Sequence, residues 1–545
     1  MSAPSRLLRL WRTARHLRPV QVYGRAWHRL YRPRPSSRPA PPVAARHGDW
    51  ERCPRDASMI GPARFRLLNV ERPFPAGGWN DAALPKLWLY NLHYFDDLNA
   101  DGNERRVDWH RALIARWIAD NPPAEGNGWE PYCLSLRIVN WIKWHGTGRA
   151  LDQAALHSLA MQARQLRARL ERHLLGNHLW ANFKALIFAG AFFEGDEADR
   201  WLALGLQGLH RQLDEQILDD GGHFERSPMY HGILLEDLVD LVQLAQRHPG
   251  RIPGGHVEAW RARARRMLGW LAAMTHPDGG IAFFNDAAHG IAAAPAALIN
   301  YAGRFGIAAP QPPAGPLRVL GGSGYVRMVH GAAVAIADVG EIGPPYLPGH
   351  AHADTLSFEL SLGAHRVLVN AGTSRYDTGP ERLWQRGTAA HNTVEIDDTD
   401  SSEVWSSFRV ARRAIPLDVA SGIDGTGAVW LRAAHDGYRR LPGRPLHRRR
   451  WDLRDGALRV TDAIEGGYRR AVARFRLAPE LRMEGDTLVV PDGRRVRWLA
   501  EGATGVRTVA GSWFPHFGVE RPCTVIEVEL APPAAAVVTT FFWSQ

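Results

Sequence analysis

Between about residues 108 and 301, apolar positions recur every three or four residues, which is the spacing of one helical face. The pattern predicts helices over 108–119, 134–144, 151–175, 177–193, 197–218, 228–246 and 257–274, separated by short Gly, Asp and Pro breaks. Helices joined this closely lie antiparallel, so a layered all-α body is expected. A proline-rich stretch at 308–316 closes that half, and beyond it the period falls to two. Leu356, Phe358, Leu360 and Leu362 alternate with Thr355, Ser357, Glu359 and Ser361, then Gly363 turns the chain into a return strand over 366–370. Further strands are predicted at 325–329, 332–337, 393–396, 458–461, 487–490 and 525–530, spaced as in a β-sandwich. The expected domains are a basic N-terminal arm with a proline-rich linker (1–48), a helical domain (49–307) and a β-sandwich domain (317–545). No internal repeat is seen.

Composition narrows the partners. The chain has 545 residues, 45% apolar and 23% charged, enough for two or three domains. Its formal charge of +11, with basic excess at the N-terminus and in the second half, as at Arg448 to Arg450, suits a polyanion. Scattered basic residues and the lack of a recognisable nucleic-acid module argue against nucleic acid. Cys53, Cys133 and Cys523 are far apart and are expected to be reduced thiols. No run reaches the length of a membrane span, and the first 32 residues lack the apolar core of a secretory signal, so a cytoplasmic location is expected. Residues 6–31 mix Leu, Trp and Tyr with Arg and His, which fits either contact with a membrane surface or an arm packed on the main body.

Histidines mark the candidate chemistry. His350 and His352 flank one alanine before a strand, and His391 begins another. With Asn370 at the end of the return strand, these four are expected to converge at one sheet edge, as a functional group or as a buried hydrogen-bond cluster. In the helical half, Gly176 ends one helix and Asn177 caps the next, placing His178 and Asn182 one turn apart. Ser227 and Pro228 start another helix, with Tyr230 in its first turn. The positive helix end, Arg226 and His231 are expected there to favour phenolate over phenol. The 21 tryptophans are many; most are expected in the core, although aromatic walls also stack on sugar rings.

Six strings carry a resemblance over most of the chain: Trp129-Glu-Pro-Tyr132 with Ser135-Leu-Arg137, Gly176-Asn-His178 with Asn182, and His223-Phe-Glu-Arg-Ser-Pro-Met-Tyr-His231 in the helical half, then Phe284-Asn-Asp286, Gly349-His-Ala-His-Ala-Asp-Thr-Leu-Ser-Phe358 and His391-Asn-Thr393. In these the sequence resembles the heparinase II/III family of polysaccharide lyases, related to alginate lyases. The resemblance implies an N-terminal α/α toroid followed by a C-terminal antiparallel β-sandwich. It also implies β-elimination at a uronic acid, in which the C5 proton is removed and the C4 glycosidic oxygen is expelled. The carboxylate beside C5 must then be neutralised by donors in the site. By resemblance, Asn177 would hold that carboxylate with His178 or His350, and Tyr230 would be base, acid or both in turn. Tyr132, Asn182, Arg226 and His231 would bind substrate. Relatives hold zinc with two histidines and an aspartate; His352 and His391 match the histidines, but Asn370 stands at the aspartate position, and a neutral amide is the poorer ligand.

The function expected is cleavage of an acidic, uronate-containing polysaccharide or oligosaccharide. Two alternatives are a uronyl C5-epimerase, which needs nearly the same groups, and a non-catalytic glycan-binding protein of exopolysaccharide assembly. Hydrolysis is disfavoured because Glu225, Asp286 and Asp354 form no obvious carboxylate pair. The pattern names no sugar, linkage or oligomeric state.

Overall fold

Large aromatic residues at helical spacing bury one another, and that sets the first layer. Helices Val107–Asp120, Pro131–Gly146, Gln153–Ala168, Gly176–Phe192, Asp196–Gln216, Pro228–Arg247 and Gly254–Ala273 share a core in which Trp117, Trp141, Trp144, Trp180, Trp201 and Trp260 are almost fully buried. The computed structural model describes residues 3–311, 315–532 and 536–544, so part of the proline-rich stretch, 312–314, lies outside the described residues. Gly205 and Gly208 let helix Asp196–Gln216 lie directly against helix Gly176–Phe192, because a Cβ at either position would overlap Ile187 or Phe183. The side chain of Arg137 is buried within this layer. Its guanidinium lies 3.7 Å from the Trp117 ring centroid and donates to Gln162 Oε1 and to the carbonyls of His93 and Gly128.

Predicted and observed helices differ most at 151–175, where the helix stops at Ala168. Glu171 is drawn back instead: its N–H donates to Asn182 Oδ1 at 2.8 Å, and its carboxylate takes Asn182 Nδ2 and faces His178. Leu175 then adopts φ 66° to start the next helix. Elements without a period long enough to read also appear. These are a three-stranded sheet (Met59–Gly61, Arg64–Leu67, Val70–Pro73) and helices Lys86–Tyr94 and Pro380–Arg386. At the N-terminus, helices Ala3–Ala14 and Pro19–Leu30 precede an extended segment.

The second half is built of antiparallel sheets. Strands Leu317–Leu320, Tyr325–His330, Ala333–Asp338, Phe358–Leu362 and His365–Leu368 pair in chain order. An eight-stranded sheet faces them, its C-terminal strand Ala536–Trp543 inserted between Ala457–Glu465 and Arg495–Glu501. A four-stranded sheet completes the sandwich, and Phe358 packs on both Trp451 and Phe475 in the common core. Strand Phe358–Leu362, read from its alternation as one arm of a hairpin, is buried on both faces. Its polar side meets the helical layer: Glu359 and Ser361 both bond to buried His276, and Glu359 also accepts from the N–H groups of Phe283 and Asn370. Among the described residues, no helix is long and apolar enough to cross a membrane.

Candidate active site

The two layers meet at the segment Phe284-Asn285-Asp286 and the loop that carries His350. Asn285 bonds across the junction: its amide donates to the Arg226 carbonyl, its Oδ1 accepts from His352 N–H, and its own N–H donates to Asp354. The Asp286 N–H donates to the His350 carbonyl at 3.0 Å. Arg226, Asn285, Leu356 and Leu175 all adopt left-handed backbone conformations here without being glycine. Each such conformation costs about 1–3 kcal/mol and persists only where surrounding contacts fix it.

Tyr230 sits in the first turn of its helix, whose cap Ser227 accepts from the Tyr230 N–H. Its ring centroid lies 3.9 Å from that of His350, and its hydroxyl is 3.1 Å from the Tyr376 hydroxyl. Asn177 lies across from His350, with Nδ2 3.5 Å from His350 Nε2. His178 packs its ring 4.5 Å from that of Tyr132. The phenol from the helical layer and the imidazole from the sheet layer therefore meet, with Asn177, His178 and Tyr132 beside them. Gly176 makes this approach possible: at φ 55°, with Leu347 and Glu225 pressed against it, it has no room for a side chain.

Carboxylates govern the site. Glu225 accepts from the Asn177 N–H and Nδ2, and its Oε2 is 3.4 Å from His350 Nε2. Burial disfavours charge on His178, but the Glu171 carboxylate 3.2 Å away prevails and raises its pKa. Asp286, fully buried, accepts from His350 Nδ1 at 2.9 Å, His352 Nε2 at 2.8 Å, Thr373 and both terminal nitrogens of Arg382. Burial would raise its pKa, yet Arg382 and the two histidines hold it well below the usual carboxylate range. Tyr230 does not behave as its place on the helix suggests. Burial first, then Tyr376, Tyr132 and Asp286, push its pKa well above that of an ordinary phenol. The helix end and Arg226 do not offset this, because Arg226 turns away to the Glu341 carbonyl.

Three residues expected to bind substrate have other partners. His231 is buried, with Nε2 on the Met267 carbonyl and its ring against Trp270. Asn182 is fully buried between Glu171 and Ser135. Arg226 clamps the Glu341 loop. These side chains shape the site from behind, because the strings that carry the resemblance hold supporting residues as well as facing ones.

The proposed metal ligands do come together, but they do not make a zinc site. His352 Nδ1 is 3.2 Å from His391 Nε2, a separation that two ligands of a tetrahedral ion could also have. Asn370, however, turns its Oδ1 to the Asn392 N–H, leaving its buried Nδ2 without a partner, and an amide NH2 is no ligand. Burial lowers the pKa of His352 to about 4, and burial, with His352 and Arg476 beside it, holds that of His391 well below the usual imidazole range, which favours the neutral rings. His352 Nε2 faces Asp286 Oδ1 and its Nδ1 faces His391 Nε2, so the two rings line up with Asp286 in one hydrogen-bonded row. Among the described residues no three His, Cys, Asp or Glu side chains are grouped to hold a metal.

Sequence reading missed Glu171, Tyr376 and Arg382 altogether. It named Glu225 and Asp286 without giving them a role. Those two lie inside the quoted strings, and their spacing to the histidines was the available signal; Tyr376 and Arg382 lie in no pattern.

Comparison with known proteins now adds the family. Residues 96–305 match the heparinase II/III N-terminus, and residues 312–541 match the heparinase II/III-like C-terminal region. FtsZ-localized protein C of Caulobacter vibrioides is 27% identical over 95% of this chain and 92% of its own. Heparin-sulfate lyase of Bacteroides stercoris is 25% identical over 40% of this chain and 36% of its own. Among solved structures, that of heparinase III superposes with a TM-score of 0.68 at 19% identity, covering 86% of this chain and 80% of its own. The architecture is thus the α/α toroid followed by the antiparallel β-sandwich. The chain belongs to the heparinase II/III family, the fold family of heparinase III-like polysaccharide lyases.

Proposed function

We propose that the protein is a polysaccharide lyase that cleaves an acidic, uronate-containing glycan by β-elimination. The observation that carries this reading is the meeting of Tyr230, His350 and Asn177 across the layer boundary, with the Tyr230 and His350 rings 3.9 Å apart. Asn177 and the cationic form of His178 neutralise the uronate carboxylate, which makes the C5 proton removable. His350, fixed through Nδ1 by Asp286, takes that proton. Tyr230, held as a phenol by burial and by Tyr376, gives its proton to the departing O4.

The test is incubation with a panel of uronate polysaccharides and ultraviolet detection of unsaturated ends. The wild type produces them; Tyr230→Phe lowers the rate about a hundredfold to ten-thousandfold, the usual contribution of a positioned proton carrier. A wild-type protein that produces none on any member refutes the proposal.

A second reading, glycan binding without turnover, has its own support. Glu225 occupies the Asn177 amide and faces His350, where a uronate carboxylate would be repelled. The relative matched over 95% of this chain is named for its localisation with FtsZ. Tight oligosaccharide binding that Tyr230→Phe leaves intact, with no unsaturated product, would favour it.

A further inference from the structure

Eleven basic and no acidic residues occupy the first 48 positions, while the remainder of the chain carries 56 of each sign. The whole formal excess of +11 therefore lies in the arm. Its two helices are also turned inside out relative to an ordinary surface helix. Apart from Val20, which packs on the main core, they grip the body largely through polar side chains. Thr13 accepts from Trp405 Nε1, and Arg18 pairs with Glu215 and lies over the Tyr346 ring. Gln21, buried, donates to the Tyr346 carbonyl, while His28 stacks on His173.

The opposite face is apolar and meets solvent. Val22, Tyr23, Trp27 and Leu30 form one stripe at helical spacing in the second helix, and Leu7, Leu8, Leu10 and Trp11 another in the first. Trp11 is 59% exposed, Trp27 62% and Leu30 81%. Nine of the twenty large apolar residues found exposed among the described residues lie in the first 31 positions, so the pattern belongs to the arm and is not general. Contiguous exposed apolar surface of this kind marks a docking site.

We infer that the arm docks on an anionic lipid bilayer. Such a surface accepts both features at once: Leu, Val and Trp enter the acyl boundary while arginines meet the headgroups. A second copy of the chain would bring eleven like charges against eleven. A nucleic acid would leave the apolar stripe in water. The second helix rests on Tyr346, in the loop that leads to His350, so docking holds the wall of the candidate site at the lipid surface. The inference does not depend on the lyase reading, because activity on a soluble oligosaccharide needs no vesicle.

The experiment is sedimentation of the full chain with vesicles of phosphatidylcholine alone, or of phosphatidylcholine mixed with phosphatidylglycerol. The protein should sediment with the mixed vesicles, bind the neutral ones about tenfold more weakly or less, and be released by high salt. The pair Trp11→Ser and Trp27→Ser should lower binding by a further tenfold or so at unchanged thermal stability, since neither residue is buried. Failure to bind mixed vesicles overturns the inference. So does binding that ignores lipid charge and salt, binding unaffected by the serine pair, or a dimer by light scattering that the pair abolishes.

Discussion

The two walls of the candidate site are built on different principles. On the helical wall, Tyr132, Asn177, His178 and Tyr230 lie at the layer boundary, where Asn177 and Tyr230 are buried and His178 keeps about a third of its side chain accessible. His178 there faces Glu171, and the Asn177 amide donates to Glu225. On the sandwich wall, His352 and His391 are shut away, and they and His350 hang from one fully buried pair, Asp286 and Arg382. The difference teaches that the two walls are held in place in different ways. Single carboxylates tune the helical wall, whereas a closed network fixes the position of the sheet wall.

Removing one partner on each wall is the strongest way to break that contrast. Arg382→Ala leaves Asp286 as an uncompensated buried charge and should cost about 3–5 kcal/mol in urea unfolding. A loss below 1 kcal/mol would show that the network is not closed. On the helical wall, Glu171→Gln should cost only about 1 kcal/mol, since Asn182 retains a partner oxygen. Its main effect should be chemical: without the carboxylate the His178 pKa falls, and the alkaline limb of the rate profile moves to lower pH. An unchanged profile would remove His178 from the chemistry.

Stability against pH separates the layers as well. Asp462 lies under the site in the sandwich, where burial would raise its pKa, but Arg449 and His447 hold it at about 2. A carboxylate depressed on folding stabilises the native state above its unfolded pKa and loses that contribution as the pH falls through the folded one. The sandwich should therefore lose about 2 kcal/mol between roughly pH 4 and 2. His178, raised on folding, acts in the opposite sense: its contribution is complete below its unfolded pKa near 6.5 and fades as the pH rises through its folded value. Unfolding across the pH range, followed with Asp462→Asn alongside the wild type, checks both. The smallest effect concerns the metal. Zinc should not raise the melting temperature of the wild type, whereas Asn370→Asp restores an anionic ligand beside His352 and His391 and should make it rise with zinc.

Much of this was legible in the sequence. Helical periodicity located the long helices because each buries one stripe on a shared core, and alternation found the hairpin at 356–368. What periodicity could not show was where polar side chains would be spent. A two-residue period cannot tell water from a second layer of protein, and the partner of Glu359 and Ser361 is His276, 83 and 85 residues before them in the chain. Tyr230 was placed correctly on its helix but given the wrong electrostatics, since Tyr376 and Asp286 arrive from distant segments and burial outweighs the helix end. Arg382 lies on a short helix with no readable period, yet it anchors the sheet wall.

The central claim is that this site breaks a glycosidic bond by elimination. Mass spectrometry of products from a defined uronate oligosaccharide tests it directly, because elimination adds no water. Fragments whose summed mass equals that of the substrate, formed by the wild type and nearly absent with Tyr230→Phe, are the predicted result. Fragments heavier by one water, or an intact substrate that binds without change, would contradict it.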